Sequence, residues 1–398
     1  MLSQEMINLG QVRSVIREMF EYGNKRAAEI GRENVFDFSL GNPSVPAPSI
    51  VDETIMKLIN EEDYVKLHGY TSAPGDMNIR NIVANWLNDT YDTTFTGNNI
   101  YFTTGAAAAL TITFKAIAEK NDEIIVFAPF FPEYKVFIET SGAKMKIVKC
   151  RESDFQIDFD ALKAAMNENV KAVVINSPCN PSGVVFSRET IEKLSEILRE
   201  SEEKFGHPIF LISDEPYREL VYDDIEVPFV PKFYDNTIVC YSFSKSLSLP
   251  GERIGYILIS DKSFNPSLIF DAVAGAGRAL GYVCASSLFQ RVIPHCLGMT
   301  ADIDIYKKNR DILCNALKEY GFDLVSPDGA FYLFVTALEK DANRFCENAK
   351  KYELLLVPSD SFGYEGYVRI SYCVSTEQIL NSLPAFKALA DGYRNGEF

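Results

Sequence analysis

Four stretches of the sequence place a chemically useful side chain directly after an apolar run. PIFLIS (208–213) leads into Asp214, TIVCY (237–241) into the segment with Lys245, KAVVIN (171–176) into the segment with Asn180, and IIVFA (124–128) into the segment with Phe131. Ligands of parallel sheets bind beyond the carboxyl ends of the strands. An acid, an amine, an amide and an aromatic ring are therefore expected around one crevice.

Lys245 is the residue of this group with the most specific chemistry. A lysine is most often a solvated surface charge, but Lys245 follows an apolar strand and lies among small hydroxyl residues in SFSKS (242–246). Such surroundings desolvate the amine and favour Schiff-base chemistry. Taken alone, Asp214 could equally cap the next helix, and Arg253 could equally form a surface ion pair.

A phosphate site is indicated by TTGAAAAL (103–110), which follows a short apolar run and opens an Ala-rich helix. Small residues let an anion approach the backbone N–H groups at a helix N-terminus. An ordinary, tightly packed helix start is the alternative for this segment taken alone.

The elements that must position these residues are apolar strands alternating with amphipathic helices, such as 188–204. A further apolar strand is predicted at 254–259, and this alternation is typical of a parallel sheet covered by helices on both faces. A Pro-rich link (41–49) precedes the alternating region, and a long helical region (294–320) and short strands follow it. We therefore predict an α/β protein in which both chain ends build a smaller α+β domain.

The predicted boundaries follow from this organisation. Residues 1–45 form an N-terminal arm and part of the small domain, 46–293 form the large domain, and 294–398 form the small C-terminal domain.

Composition excludes several classes of protein. The chain has 398 residues, 39 basic against 55 acidic, for a net charge of −16. Nucleic acids and anionic membranes are poor partners for such a surface, and no apolar run approaches the roughly 18–20 residues that span a bilayer. The three histidines lack metal-ligand spacing and the eight cysteines contain no CxxC, so no metal is expected. We expect a cytoplasmic protein that handles small molecules.

Six segments together resemble the signatures of one family, the pyridoxal-phosphate-dependent aminotransferases of classes I and II (fold type I). In chain order they are SLGNPS (39–44), GYTSAPG (69–75), NSPCNPSG (176–183), SDEPY (213–217), SFSKSLSLPGERIGY (242–256) and YVRISY (367–372). Any one of them is weak, but six in order with similar spacing are specific. The resemblance covers about residues 35–390 and implies a large domain with a mainly parallel, seven-stranded sheet.

The resemblance implies roles for the residues at the strand ends. Lys245 would bind the cofactor pyridoxal 5'-phosphate covalently and move the substrate's proton. Asp214 would pair with the pyridine nitrogen, so that the ring is a better electron sink. Asn180 and Tyr217 would hydrogen-bond the phenolic oxygen, and Phe131 would stack on the ring, where many relatives carry Trp or Tyr.

The cofactor phosphate would be held by Ser242, by Arg253 and by the N–H groups of Gly105, Ala106 and Ala107. Relatives often carry a hydroxyl or a lysine in this last loop. Alanines occupy the matching positions here, a departure expected to weaken cofactor retention.

The resemblance also implies how substrate is bound. Arg369 would hold the α-carboxylate through a bidentate fork that a lysine cannot reproduce, near Gly41. Tyr70 would reach the phosphate of the partner subunit's cofactor, which makes the protein a homodimer with shared active sites. Taken alone, Tyr70 is a plain loop aromatic residue.

The substrate pair is expected to be aspartate and 2-oxoglutarate, exchanged by a ping-pong mechanism. One aspartate aminotransferase branch pairs the distal carboxylate with an arginine of the partner subunit, some 25 residues after the phosphate-binding arginine. Arg278 lies 25 residues after Arg253, although the residues that usually follow it are absent. An exposed helical arginine is the alternative, and alanine or aromatic substrates remain open.

Two other classes of protein share these motifs. One carries out a different reaction on the same cofactor, either C–S β-elimination or cyclopropane-carboxylate synthesis, and a product assay would separate it. The other is a non-enzymatic ligand-sensing domain of a transcription regulator, which the missing basic DNA-binding module disfavours.

Overall fold

A computed structural model describes residues 2–11 and 15–398. Its helices are α1 (Gln4–Gln11), α2 (Val15–Ile30), α3 (Ser49–Glu61), α4 (Tyr64–His68), α5 (Met77–Tyr91), α6 (Ala106–Ile117), α7 (Glu133–Ser141), α8 (Phe159–Ala165), α9 (Arg188–Phe205), α10 (Phe243–Ser246), α11 (Pro266–Ala279), α12 (Ser287–Val292), α13 (Asp304–Glu319), α14 (Ala342–Lys350) and α15 (Thr376–Arg394).

The strands are β1 (Phe36–Asp37), β2 (Ile100–Thr103), β3 (Glu123–Ala128), β4 (Lys144–Lys149), β5 (Val170–Asn176), β6 (Phe210–Asp214), β7 (Thr237–Ser242), β8 (Gly255–Ile259), β9 (Tyr332–Thr336), β10 (Leu354–Leu355), β11 (Val357–Pro358) and β12 (Tyr367–Ser371).

The chain forms two compact units. The smaller unit contains 1–44, 181–183 and 304–398, and the larger contains 45–180 and 184–303. Both chain ends thus build the smaller unit, and residues 294–303 belong to the larger one.

A seven-stranded sheet in the order β2-β8-β7-β6-β5-β3-β4 is the centre of the larger unit. The β3, β4, β5, β6 and β7 strands run parallel, whereas β8 is antiparallel to β7 and β2 is antiparallel to β8. Strands such as β5 and β6 are mostly apolar and almost entirely buried, as expected when helices cover both faces. The predicted α/β architecture is therefore confirmed, with one apolar strand, β8, reversed.

The helices of the larger unit follow from their apolar spacing and caps. In α9, Ile191, Leu194 and Leu198 form a buried stripe, the Ser187 side chain accepts a hydrogen bond from the N–H of Thr190, and Gly206 ends the helix at a φ of 75°. Serine caps and left-handed glycines are the standard signals for helix ends.

The smaller unit is a mixed α+β structure. Its three-stranded antiparallel sheet has the order β11-β12-β9, and β1 pairs with β10 in parallel. The predicted helical region 294–320 is only partly correct, because α13 begins at Asp304. Gly298, with a φ of 77°, lies in the non-helical part.

Within the described ranges, 2–11 and 15–398, no helix is both long and apolar enough to cross a membrane. No group of three or more His, Cys, Asp and Glu side chains in the same ranges is arranged to hold a metal ion.

Candidate active site

The four predicted segments leave neighbouring strands at the same edge of the large sheet. The strands β3, β5, β6 and β7 are adjacent and parallel in that order, so their carboxyl ends lie side by side. Phe131, Asn180, Asp214 and Lys245 each lie at or within five residues of such an end.

Asp214 is the most perturbed acid in this group. Its side chain is buried, its Oδ2 accepts a 2.5 Å hydrogen bond from the Tyr134 hydroxyl, and its Oδ1 has no hydrogen-bond partner among residues 2–11 and 15–398. Burial, together with the charge of Glu215, raises the pKa of Asp214 to about 7, although the bond from Tyr134 lowers it. A buried acceptor without a donor indicates that a ligand supplies the missing proton.

Asn176 connects two of the predicted residues. Its side-chain amide donates to the backbone oxygen of Asp214 at 2.8 Å, and its Oδ1 accepts from the backbone N–H of Asn180 at 2.7 Å. One side chain therefore sets the backbone at the ends of both β5 and β6.

Lys245 lies in the short helix α10, which begins directly after β7. The Ser242 side chain caps this helix by accepting a hydrogen bond from the N–H of Ser244. Tyr217 is buried in the turn after β6, where its backbone oxygen accepts from Leu220 N–H at 2.9 Å. The Phe131 ring lies edge-on to the Tyr134 ring, with centroids 5.7 Å apart.

A cradle of small and cationic groups surrounds the N-terminus of α6. Gly105 precedes this helix at a φ of 94°, and a Cβ built on it would lie 2.7 Å from Nη2 of Arg253. The Arg253 guanidinium donates to Ser244 Oγ at 3.4 Å, and the Ser242 and Ser244 hydroxyls are 2.8 Å apart. Because the first N–H groups of a helix have no intrahelical partner, Gly105, Ala106 and Ala107 offer donors to an anion here.

Arg369 and Gly41 lie together in the smaller unit. Arg369 is on β12 and buried, and its Nη2 donates to the backbone oxygen of Ser39. Its guanidinium carbon lies 4.7 Å from the centroid of the Tyr332 ring and 5.2 Å from that of Phe362. A Cβ on Gly41 would overlap the Tyr332 hydroxyl, 1.9 Å away, so glycine is required beside that ring.

Tyr70 and Arg278 lie on the surface of the larger unit. Tyr70 follows α4 and is 90% exposed, and Arg278 is an exposed residue in the last turn of α11. None of the contacts given above joins Tyr70 or Arg278 to the residues at the strand ends.

Tyr134 and Asn176 are functional candidates that the sequence analysis did not single out. Asn176 opens the NSPCNPSG segment and Tyr134 lies three residues after Phe131. The signal that could have found them is a polar side chain inside a strand-end segment that is otherwise buried.

A buried ion pair lies immediately after Asp214. Arg218 and Glu215 are both buried and form a salt bridge, while the Ser213 hydroxyl donates to Glu215 at 2.6 Å. The Arg218 guanidinium also lies 4.7 Å from the Tyr241 ring centroid. A charge at this depth requires such a partner.

A comparison with protein families agrees with the arrangement of these residues. The family model "Aminotransferase class I and II" matches residues 33–386. The chain therefore belongs to the class I and II aminotransferases, and it is a pyridoxal-phosphate-dependent aminotransferase, as the six motifs predicted.

Curated relatives carry more than one substrate name. An aspartate aminotransferase from Thermotoga maritima is 30% identical over 88% of this chain and 90% of that protein. A probable N-acetyl-LL-diaminopimelate aminotransferase from Bacillus subtilis is also 30% identical, over 88% of each chain.

Solved structures show the same fold. An aminotransferase from Eubacterium rectale has a TM-score of 0.97 and 56% identity, with 98% of this chain and 99% of that chain covered. The aspartate aminotransferase of Thermotoga maritima has a TM-score of 0.87 and 27% identity, over 98% and 100% of the two chains. The predicted fold, a mainly parallel seven-stranded sheet with a smaller α+β domain, is confirmed.

The residues present fit pyridoxal 5'-phosphate. The unsatisfied Oδ1 of Asp214 matches a protonated ring nitrogen. The space that a Cβ on Gly105 would fill beside Arg253 matches a phosphate at a helix N-terminus.

Proposed function

We propose that this aminotransferase exchanges the amino group of L-aspartate with 2-oxoglutarate, with Lys245, Asp214 and Tyr217 as its catalytic residues. The observation that supports the catalytic assignment best is the buried Asp214 carboxylate at the end of β6, which has one oxygen without a hydrogen-bond partner among the described residues. The proposed roles follow from what each side chain offers chemically.

Bound pyridoxal phosphate makes the α-hydrogen of an amino acid acidic by withdrawing electrons into its ring. Asp214 would keep a proton on the ring nitrogen, and this charge strengthens the withdrawal. Lys245 would carry the proton between the substrate α-carbon and the C4′ carbon of the cofactor. Tyr217 and Asn180 would donate hydrogen bonds to the phenolic oxygen.

The remaining residues would bind and orient. Arg253, Ser242 and the first N–H groups of α6 would hold the phosphate, and Phe131 would cover one face of the ring. Arg369 would bind the α-carboxylate, beside Gly41. Its guanidinium is already fixed by the Ser39 backbone oxygen and by two aromatic rings, so little side-chain entropy is lost when substrate binds.

A homodimer is proposed because Tyr70, a predicted cofactor-binding residue, lies on the surface and outside the group of residues at the strand ends. Tyr70 is 90% exposed, and the nearby Tyr64 and Val65 are also strongly exposed, as are Met56 and Ile59 on α3. Exposed apolar side chains concentrated in one region mark an interaction surface. In the dimer, Tyr70 would contact the phosphate of the partner subunit's cofactor.

The aspartate assignment is supported by Arg278 and by the names of several relatives. Arg278 is exposed on α11, so its charge is available to a second carboxylate presented by the partner subunit. The B. subtilis relative with a different substrate makes a direct test necessary.

The test is the visible absorbance of the purified holoenzyme, with L-aspartate and L-alanine added separately. We expect L-aspartate to remove the yellow band and to release oxaloacetate, with L-alanine much slower. An Arg278→Ala variant should lose aspartate activity far more than alanine activity, whereas Arg394→Ala, at an exposed arginine in the last turn of α15, serves as the control. Equal losses with both amino acids would remove Arg278 from substrate binding. The β-elimination alternative is tested separately with L-cystathionine, whose β-carbon carries a sulfur leaving group, because C–S cleavage would release a thiol together with pyruvate and ammonia.

A cytoplasmic location, and a place in amino acid metabolism and biosynthesis, remain predictions. The absence of a disulfide at any of the eight cysteines supports a reducing compartment.

A further inference from the structure

Tyr134 is a buried tyrosine that the proposed reaction does not yet use. It lies in the first turn of α7, its side chain is only 2% exposed, and its hydroxyl donates to Oδ2 of Asp214 at 2.5 Å. Hydrogen bonds to a carboxylate are shorter and stronger than those between neutral groups.

This bond makes the two oxygens of Asp214 different. Oδ2 accepts the bond from Tyr134, while Oδ1 is buried and has no hydrogen-bond partner in the part of the chain that the structure describes. A carboxylate held at one oxygen cannot rotate freely about its Cβ–Cγ bond. Its second oxygen therefore keeps a fixed direction.

Tyr134 also acts on the charge of Asp214. Burial and the neighbouring Glu215 raise the pKa of this acid, while the bond from Tyr134 lowers it. Burial and the charge of Asp214 hold the pKa of Tyr134 well above its ordinary value, so the hydroxyl remains a donor. The other titratable groups facing the pair are Cys179 and Tyr217 beside Tyr134, and Cys240 beside Asp214.

We propose that Tyr134 is a positioning residue for transamination, which binds one oxygen of Asp214 so that the ionised second oxygen faces the ring nitrogen of the cofactor. The inference rests on the role proposed for Asp214 above. Tyr134 acts through Asp214 and need not touch substrate.

The first test is Tyr134→Phe, which removes the hydroxyl and keeps the ring. Because a hydrogen bond to a charged group is lost, we expect the dissociation constant for pyridoxal phosphate, measured by equilibrium dialysis of the cofactor-free protein, to rise on the order of tenfold. The rate constant of the half-reaction should fall by a similar factor with little change in substrate KM. Tyr234→Phe is the matched control, since Tyr234 is equally buried but donates to the backbone oxygen of Ile209.

The second test repeats Tyr134→Phe in an Asp214→Asn background, with urea unfolding to verify that each variant is folded. If Tyr134 acts through Asp214, its substitution has no further effect on cofactor affinity there. Unchanged affinity in Tyr134→Phe alone, or the same loss in both backgrounds, would overturn the inference. Asp214→Asn with normal affinity and rate would instead overturn the role of Asp214 itself.

Discussion

Lys245 is the single residue on which the proposed chemistry depends most directly. Lys245→Ala should abolish turnover because no other amine is assigned to move the proton, while the proposed phosphate site at Arg253 and the α6 N-terminus should still hold cofactor noncovalently. Borohydride reduction followed by mass spectrometry should attach cofactor to the native chain and not to the variant. Lys387→Ala, at an exposed lysine on α15, is the control. Normal activity in Lys245→Ala would end the proposed mechanism.

The raised pKa of Asp214 predicts that the free energy of unfolding depends on pH. Its pKa is raised from 3.8 to about 7, so the folded state binds this proton more tightly than the unfolded state. The cofactor-free protein should therefore lose stability as pH rises from about 4 to 7. Asp214→Asn removes this effect, and we expect it to be more stable than the native chain by about 2–4 kcal/mol at pH 8.

The difference between Asp214→Asn and the native chain should nearly vanish at pH 4, where both side chains are neutral. Urea midpoints of the two cofactor-free proteins at pH 4 and 8 measure it. The same difference at both pH values would mean that Asp214 is ionised throughout this range and that its burial does not raise its pKa.

For individual residues, the sequence predicted those that follow apolar strands, but not those that orient them. Lys245, Asp214 and Asn180 each belong to a segment that directly follows a strand, whereas Tyr134 comes from a helix and meets Asp214 across 80 positions of sequence. Spacing along the chain carries no information about such a contact. Asn176 was hidden for another reason, since an asparagine at the end of a strand also fits an ordinary turn.

Among the helices and strands, the start of α6 has strict steric requirements, because Gly105 lies against Arg253. Gly105→Ala would place a Cβ 2.7 Å from the Arg253 guanidinium at a φ of 94°, so Arg253 and the first turn of α6 must move apart. We expect the dissociation constant for pyridoxal phosphate to rise on the order of tenfold or more, since the anion loses both a cation and N–H donors. Equilibrium dialysis measures it.

A matched control exists at the end of α9. Gly206 has a φ of 75° and open space around its position, so Gly206→Ala places an alanine at a positive φ away from the site. It should lower stability and leave cofactor affinity unchanged. If both variants bind cofactor normally, the α6 N-terminus is not the phosphate site.

The strand prediction succeeded in the interior of the sheet and failed in orientation at β8. An apolar run indicates burial, but it does not give direction. Only 12 residues join β7 to β8, and so short a link with one four-residue helix favours antiparallel pairing over a crossover. The edge strand β4, KMKIVK, was not predicted because its lysines interrupt the apolar signal, as is common at sheet edges.

For the whole molecule, the central question is whether one chain completes the site of another. Tyr70 is 90% exposed, although the family motif that contains it implies a phosphate contact. Both observations are satisfied if each site takes Lys245 from one chain and Tyr70 from its partner. Lys245→Ala and Tyr70→Ala would then damage different halves of the same site.

Mixing the two variants under conditions that exchange subunits tests this arrangement. A hybrid dimer would contain one doubly damaged site and one intact site, so a statistical mixture of nearly inactive parents should recover about a quarter of native activity. Separately tagged chains, purified as hybrids, should recover about half. Mixing Lys245→Ala with Asp214→Asn is the control. Lys245 and Asp214 belong to the same half of each site, so each site of that hybrid is damaged and its activity should stay at the parental level. Activity that stays at the parental level in the Lys245→Ala and Tyr70→Ala hybrid would place Tyr70 within its own chain's site or outside any site.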